Sequence, residues 1–543
     1  MITKRDLLRR GAMLPVGLTA SPATGVATHA SIGADWASFS RHYRRPDWFR
    51  DAKLGLWAHW GAQCVPEQGD WYARRMYLQG DRCYDHHLET YGHPSEVGFM
   101  QMYDRWTAAK WEPAALVARF KQAGARYVVS MANHHDNFDH YDSSYQRWNS
   151  LRVGPRRDIV GTWEQATRAA GLRFGVSNHS AHAWHFYQPA YSYDADVPMA
   201  GKRYDAFGLR KADGKGRWWD GLDPQELYTG PSIVAPDGIA TTRAMLAWQS
   251  RNSGHWPEDV PWQNPGVAHR WLLRQNDLVD KYRPDLVYFD DTRLPFGQIG
   301  LDAVAHYYNQ AVDRDGSTDV VVTAKLLFPF QKSFLTDDVE RGFSETLRPE
   351  PWQTCTCIGD WHYDRSIYEN KSYKTAKDIV QRLCDIVSKN GNLLLSIPQR
   401  GDGTIDAEEE KFLDGLAAWM AVNGSAIHGT RPWRIFGEGP TRRRAGVQNE
   451  GSAKPFTADD IRFTVDPRTG ALNVFVLDWP EKAVPIVALG RAALPGATID
   501  RVDPIGGGPL PFRRDDAALK VDLPRTGPTA FVPAIRIMGT GLI

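Results

Sequence analysis

The sequence predicts an α/β protein, a (β/α)8-type barrel catalytic domain followed by a C-terminal β-sandwich, and three observations carry that prediction. From about residue 114 one unit recurs: a segment of helical period, a glycine or proline stop, then a short apolar run rich in β-branched or aromatic residues. Polar groups that bind or react cluster where those runs end. Beyond about residue 428 the unit gives way to short strand-like pieces separated by Pro, Gly and Asp.

The elements follow in order. The first apolar run, LGLWA, ends on His59-Trp60-Gly61. ALVARFKQAGARYVVSMA supplies a helix, Gly124 as its stop and a strand over 126–132 that leads into Asn133-His134-His135-Asp136. EQATRAAGLRFGVSN repeats the unit with Gly171 and runs into Asn178-His179. From about 190 to 260 the chain is polar and glycine-rich without a sustained period, as expected of a long loop over one rim. NDLVDKYRPDLVYFDD stops its helix at Pro284 and ends on Asp290-Asp291. LDAVAHYYNQAVDRDGSTDVVVTAK uses Gly316 and ends on Lys325, and TAKDIVQRLCDIVSKNGNLLLSIP uses Asn390-Gly391 and leads to Gln399. Helices alternating with fully apolar strands imply parallel strands covered by helices, in a doubly wound sheet or a barrel. Their spread over roughly 350 residues, with insertions, favours the barrel, whose chemistry lies at the carboxyl ends of the strands. The barrel is expected over 31–428. Over 429–543, DIRFTVDPRTGALNVFVLDW, IVALGRAAL and FVPAIRIM supply the strands of the sandwich.

A chain of 543 residues exceeds the size at which a single core stops growing, which fits two domains. Lysine plus arginine (65) nearly cancel aspartate plus glutamate (64), so there is no electrostatic footprint for nucleic acid or an anionic membrane. The 21 tryptophans suit a large core or the apolar faces of sugars. Residues 1–30 carry Lys4, Arg5, Arg9 and Arg10, then a mildly apolar stretch, then small residues up to Ala30, the order of a secretory signal. TKRDLL within it is similar to a twin-arginine export box, so the protein is expected to be exported, to the periplasm or the extracellular space. Cys64, Cys83, Cys355, Cys357 and Cys384 are too few and too scattered for a disulfide framework; Cys355-x-Cys357 has the spacing of two residues on one face of a strand.

Two adjacent aspartates close the buried-looking run YRPDLVYFDD. Successive strand residues point to opposite sides, so only one of Asp290 and Asp291 shares the orientation of Tyr288 and looks into the barrel, leaving the other to cap the following turn. A carboxylate in a dry, aromatic-lined pocket serves as a nucleophile toward an electrophilic carbon. The alternative is a pair of exposed loop aspartates. His134-His135-Asp136 contains metal-ligating types, but adjacent strand histidines diverge and no HxH or HExxH spacing completes a site, so no metal is expected. His182 and His185 have helical spacing and read as imidazoles donating to sugar hydroxyls or as core histidines. GxSxG, P-loop and GxGxxG motifs are absent from the sequence, which argues against serine hydrolase, nucleotide and NAD chemistry; no cofactor is expected.

WFRDAKLGLWAHWGAQCVP, DWYARRMY, ARYVVSMANHHDNFDHYDSSYQRWNS, GPRRDIVGTW, YRPDLVYFDD and NGNLLLSIPQRGDGTID resemble, in order and spacing, the α-L-fucosidases of glycoside hydrolase family 29, from about residue 40 to 435. The resemblance implies retaining hydrolysis of α-L-fucosides in fucosylated oligosaccharides or glycoconjugates, without a metal. It also implies the nucleophile at Asp290, and sugar-binding positions at His59, Trp71, His134, His135 and His179. Many relatives carry Trp-Glu where this chain has Trp352-Gln353, so the acid/base must come from elsewhere; Glu340 is favoured, with Glu345 in reserve and the two carboxyls about 5 to 5.5 Å apart. Asp70 stands where relatives often have glutamate, Asn133 where many have lysine and Asn137 where glycine is usual, and Ser396 and Gln399 alter the end of the last strand. The shorter Asp70 keeps an α-L-galactosidase open as the alternative activity, and the missing Trp-Glu keeps open a non-catalytic carbohydrate-binding protein.

Overall fold

Eight parallel strands close into a barrel in chain order: β1 (Leu54–Ala58), β2 (Tyr127–Asn133), β3 (Arg173–Asn178), β4 (Leu286–Thr292), β5 (Val321–Lys325), β6 (Thr336–Asp338), β7 (Trp352–Cys357) and β8 (Gly391–Ser396), with β8 pairing back onto β1. The computed structural model describes residues 31–256, 258–524 and 527–543, and the export segment expected over 1–30 lies outside them. Ile32–Ile543 pack as a single unit.

The stops act as their chemistry dictates. Helix Gly266–Tyr282 ends one residue before Arg283-Pro284, because the proline ring excludes Arg283 from the helical region; Arg283 caps the helix in the left-handed conformation at φ 44°. Helix Gln298–Asp315 ends on Gly316 at φ 73°. The strands between are buried on both faces, and alternate residues fill the interior: Trp57, Tyr127, Leu286, Tyr288, Cys355 and Leu394 form one cluster inside the barrel. Each such burial contributes about 1.5–3 kcal/mol. With the interior filled, a ligand has room only at a rim.

Two elements depart from the sequence expectation. β6 is three polar residues, Thr336–Asp338, too short and too hydrophilic to show a strand period. The stretch from 190 to 260 is not all loop, because Thr242–Ser253 is a helix whose N-cap Thr241 accepts from the Ala244 amide at 3.2 Å. Its buried stripe is Met245, Gln249 and Ser253, of mixed polarity, and so gave no hydrophobic signal. Among the described residues all five cysteines are buried free thiols, and no helix is long and apolar enough to cross a membrane.

After helix Ala407–Asn423 the chain builds a five-stranded antiparallel sheet and a three-stranded one. Trp433, Phe463, Val474, Leu519 and Ile535 share their common core. Asp385, on barrel helix Ala376–Ser388, is buried between Lys389 (2.8 Å) and Arg462 of the second domain (2.6 Å). A connection between strands β9 (Arg431–Glu438) and β10 (Ile461–Asp466) returns to the barrel rim. There the Gln448 amide donates to the Glu340 carbonyl at 2.8 Å and the Asn449 amide to that of Arg341 at 3.1 Å. Glu450 meets Arg341 (2.9 Å), Lys374 (3.0 Å) and Arg382; burial alone would raise its pKa, but Arg382 and Lys374 outweigh it and hold it at about 2.

Candidate active site

A cavity of about 320 Å³ opens at the carboxyl rim, lined by residues of β1, β4 and β5, by the connections after β1, β2, β3, β6 and β7, and by Gln448 from the β9–β10 connection. Asp290 reaches it by strand parity, continuing the inward series Leu286, Tyr288. The β4–β5 register slips here, Tyr288 pairing with Thr323 and Thr292 with Lys325, and at this irregular strand end Asp291 is buried while Asp290 stays part-exposed to the cavity. Asp291 neither caps the next turn nor reaches solvent. Its carboxylate points away from the cavity, 3.4 Å from His182, which is itself 3.2 Å from Glu258. Burial, reinforced by Glu258 and Asp290 and only partly offset by His182, holds the Asp291 carboxyl well above the usual carboxylate range.

Asp290 has the opposite fate. One oxygen is bonded by the Lys325 ammonium, and the other lies 3.1 Å from Nδ1 of His179 and 3.3 Å from Nε2 of His135. Burial alone would favour the neutral acid, but Lys325 and His179 outweigh it and keep Asp290 ionised, well below its usual pKa. Lys325 also donates to Glu340 Oε2 at 2.7 Å. Burial opposes its charge, and the two carboxylates overcome that, raising its pKa well above normal. One cation therefore stands between two carboxylates across the cavity. Two oxygens bonded to one nitrogen are no more than about 5 Å apart.

The remaining wall is imidazole and indole. His59, at the end of β1, is held between the rings of Trp57 (4.0 Å) and Trp361 (4.9 Å), with Nδ1 3.1 Å from Ser396 Oγ. His134 Nδ1 accepts from Gln63 at 3.0 Å, and His135 Nδ1 donates to the His179 carbonyl at 2.7 Å. Burial, with neighbouring imidazoles second, pushes His59 and His134 well below the usual histidine range, leaving neutral rings whose free nitrogens can exchange hydrogen bonds with hydroxyl groups. Asp70 accepts from His362 Nδ1 at 2.6 Å, and its amide donates to Asp360 Oδ2 at 3.1 Å. That approach requires Gly69, at φ 75°, where a Cβ would lie 2.5 Å from the same oxygen. Trp71 follows in the left-handed region at φ 65°, stacked on Trp256 at 4.8 Å and 11°.

The structure thus brings His59, Asp70, Trp71, His134, His135, His179, Asp290 and Glu340 to one cavity. Glu345 is exposed and absent from its lining. Gln353 points into the barrel, donating to Asp338 at 2.9 Å and accepting from Tyr127 at 3.2 Å, and Asn137 accepts from Arg274 at 2.6 Å. Sequence reasoning placed Lys325 on the rim without a role, and missed Trp361, His362, Trp256 and Gln448. The strand-end position was signal enough for Lys325. The other four lie in segments without a period. Three groupings of described residues bring ligand-type atoms within 4.8 Å of one another: His134/His135/His179, Asp70/His134/His362 and His182/Glu258/Asp291. Each joins separate segments of the chain, so spacing within a single motif did not reveal them. In the first, the His135 and His179 nitrogens nearest the cavity are directed at Asp290.

Comparison with known proteins identifies the family. The family described as Alpha-L-fucosidase matches residues 19–425. The chain belongs to the α-L-fucosidase family. It is 27% identical over 420 residues to the tissue α-L-fucosidase of Rattus norvegicus, covering 77% of this chain and 76% of that one. With the tissue α-L-fucosidase of Homo sapiens it shares 26% identity over 508 residues, 92% of this chain and 89% of the other. The crystal structure of Thermotoga maritima α-fucosidase in complex with fucose superposes with a TM-score of 0.64 at 24% identity, covering 93% of this chain and all (100%) of that one. That structural likeness establishes the α-L-fucosidase fold of a catalytic barrel with a C-terminal sandwich.

Proposed function

We propose that this chain is an exported, retaining exo-α-L-fucosidase in which Asp290 is the nucleophile and Glu340 the acid/base. The observation that carries the reading is the shared Lys325 ammonium, which holds one oxygen of each carboxylate within about 5 Å of the other; retaining glycosidases need about 5–5.5 Å and inverting ones about 6.5–9.5 Å. Asp290, ionised, attacks the anomeric carbon while Glu340, protonated for this step on the oxygen that Lys325 does not bond, gives that proton to the leaving oxygen. The bond from C1 to Asp290 Oδ cancels the charge on residue 290. Lys325 then has only Glu340 as an anionic partner, and Glu340 as carboxylate takes a proton from the water that releases fucose. His59, His134, His135 and His179 bind the fucose hydroxyls, and Trp57 and Trp361 supply the apolar surface.

The substrates are fucosylated oligosaccharides or glycoconjugates cut at a terminal fucose, in keeping with a cavity that takes one ring. The order of charge and small residues over 1–30 supports export, and the N-terminal sequence of the mature secreted protein tests it. The mechanism is tested by incubation with 2-fluorofucosyl fluoride and mass spectrometry of the digested protein. A fluorofucosyl group on the peptide carrying Asp290 is the expected result. Labelling elsewhere, or none with turnover intact, would end the assignment.

A further inference from the structure

A second cavity, of about 230 Å³, shares no lining residue with the catalytic one. Helix Gly266–Tyr282 forms one wall with Val267, Arg270, Trp271 and Arg274, which their i, i+3, i+4, i+7 spacing puts on one face. Residues of the segment 223–229 form the other. Asn137, which stands where glycine is usual, ties the two walls together. Its Nδ2 donates to the carbonyls of Glu226 (2.9 Å) and Leu227 (3.0 Å), and its Oδ1 accepts from Arg274 at 2.6 Å. A glycine side chain could make none of these bonds. The second wall is anchored again where the Asn264 side chain donates to the Thr229 carbonyl at 3.1 Å and the Trp148 indole to the Asp223 carbonyl at 2.8 Å. The cavity is therefore preformed, in part by a side chain to which the catalytic mechanism gives no role.

Four groups on its lining are left open. Trp271 is 2% exposed, and its Nε1 has no hydrogen-bond partner among the described residues. Arg270 and Glu226 are exposed, and neither forms an ion pair among the described residues. Asp223 accepts from the Gln225 amide through one oxygen at 3.0 Å, which leaves the other. Arg274, by contrast, is neutralised by Asp139 at 2.6 Å. Tyr145, 49% exposed, adds an aromatic ring. This set selects a ligand class. The two carboxylates repel an anion, while a guanidinium and an indole N–H, which can only donate, do not suit a cation. A hydroxyl both donates and accepts, so a ring of hydroxyls can satisfy all four groups, and its C–H face suits Tyr145. We propose that this cavity is a second carbohydrate site, which holds a neutral pyranose without cleaving it.

The proposal stands on this cavity and not on the fucosidase reading, and the test separates the two. The probes are the methyl glycosides of β-D-galactose, β-D-glucose, N-acetyl-β-D-glucosamine and α-D-mannose, with sulfate and spermidine as charged controls. Hydrogen exchange read by mass spectrometry locates the bound molecule. At least one glycoside is expected to slow exchange in peptides covering 143–148, 223–229 and 266–274. Glu226→Ala and Arg270→Ala, both at exposed positions, should each weaken that binding by about ten-fold or more, the loss of one charge-assisted hydrogen bond, with hydrolysis of nitrophenyl fucoside unchanged. Protection by no glycoside, protection confined to the catalytic cavity, unaltered affinity in both variants, or protection by sulfate or spermidine in place of a glycoside would each overturn the site. A parent that shows the protection but does not hydrolyse nitrophenyl fucoside would support the site and overturn the fucosidase reading alone.

Discussion

Lys325 Nζ lies 2.7 Å from Glu340 Oε2 while also bonding Asp290. Because this ammonium, ahead of His179, is the largest influence keeping the part-buried Asp290 ionised, Lys325→Met should let desolvation raise the carboxyl's pKa. A group whose pKa is depressed stays ionised until the pH falls through that low value, so losing the cation moves protonation to higher pH. The acid limb of the kcat/KM profile should shift upward by about one unit or more. An unmoved limb would show that Lys325 does not control residue 290.

Asp290→Gly should lower turnover by on the order of 10⁴-fold with the fold intact, since the proposed nucleophile is lost while Lys325, His135 and His179 each keep another hydrogen-bond partner. Azide should restore fucose transfer by entering the vacated space, and the product should be β-L-fucosyl azide, inverted by a single displacement. NMR of the product decides the matter, and an α-azide would exclude residue 290 as nucleophile.

Glu340→Ala should reduce kcat on poor leaving groups by about 10²–10⁴-fold and spare nitrophenyl fucoside more, because an activated leaving group needs less protonation. Here azide should give the α-L-fucosyl azide, through two displacements. Glu345→Ala, at an exposed position, should be indistinguishable from the parent. Reversal of the two phenotypes would transfer the role to Glu345.

Dialysis against EDTA should leave activity on nitrophenyl fucoside unchanged despite the clustering of His134, His135 and His179. Two of those rings direct their nearest nitrogens at Asp290, where fucose hydroxyls are expected to take them up. Loss of activity that returns with a divalent ion would require a metal in the mechanism.

Lys53 is fully buried with no hydrogen-bond partner for its ammonium among the described residues, and burial, helped by Arg431 and Arg50, lowers its pKa to about 7. Its folded pKa lies below the unfolded one, so the folded state gains stability as pH rises from about 7 to 10 and loses it as pH falls back. Lys53→Met should be more stable than the parent at pH 7 by about 2–4 kcal/mol, and the gap should close near pH 10. Urea unfolding at both values checks this; a gap independent of pH would contradict it.

The barrel was legible because its strands are apolar runs set off by residues with forced backbone conformations, such as Gly316 and Pro284. Asp290 was legible through alternation from Tyr288. The fate of Asp291 was not, since a register slip is a property of two strands rather than one. β6 was too short to show a period. Trp256, Trp361, His362 and Gln448 reach the cavity by tertiary packing of aperiodic segments, which no local pattern encodes. The substitution of Gln353 for the glutamate of many relatives was visible; that its side chain lies inside the barrel with Asp338 was not.

The Gln448 and Asn449 amides hold the carbonyls of Glu340 and Arg341, and Glu450 holds the Arg341 side chain. Glu340, the proposed acid/base, therefore takes its position in part from the appended sheets. These sheets are not an interchangeable accessory of the kind that can be shuffled between enzymes. An exchange that preserved their own stability but altered the β9–β10 connection would inherit an intact scaffold with a displaced Glu340, so the two halves are constrained to evolve together.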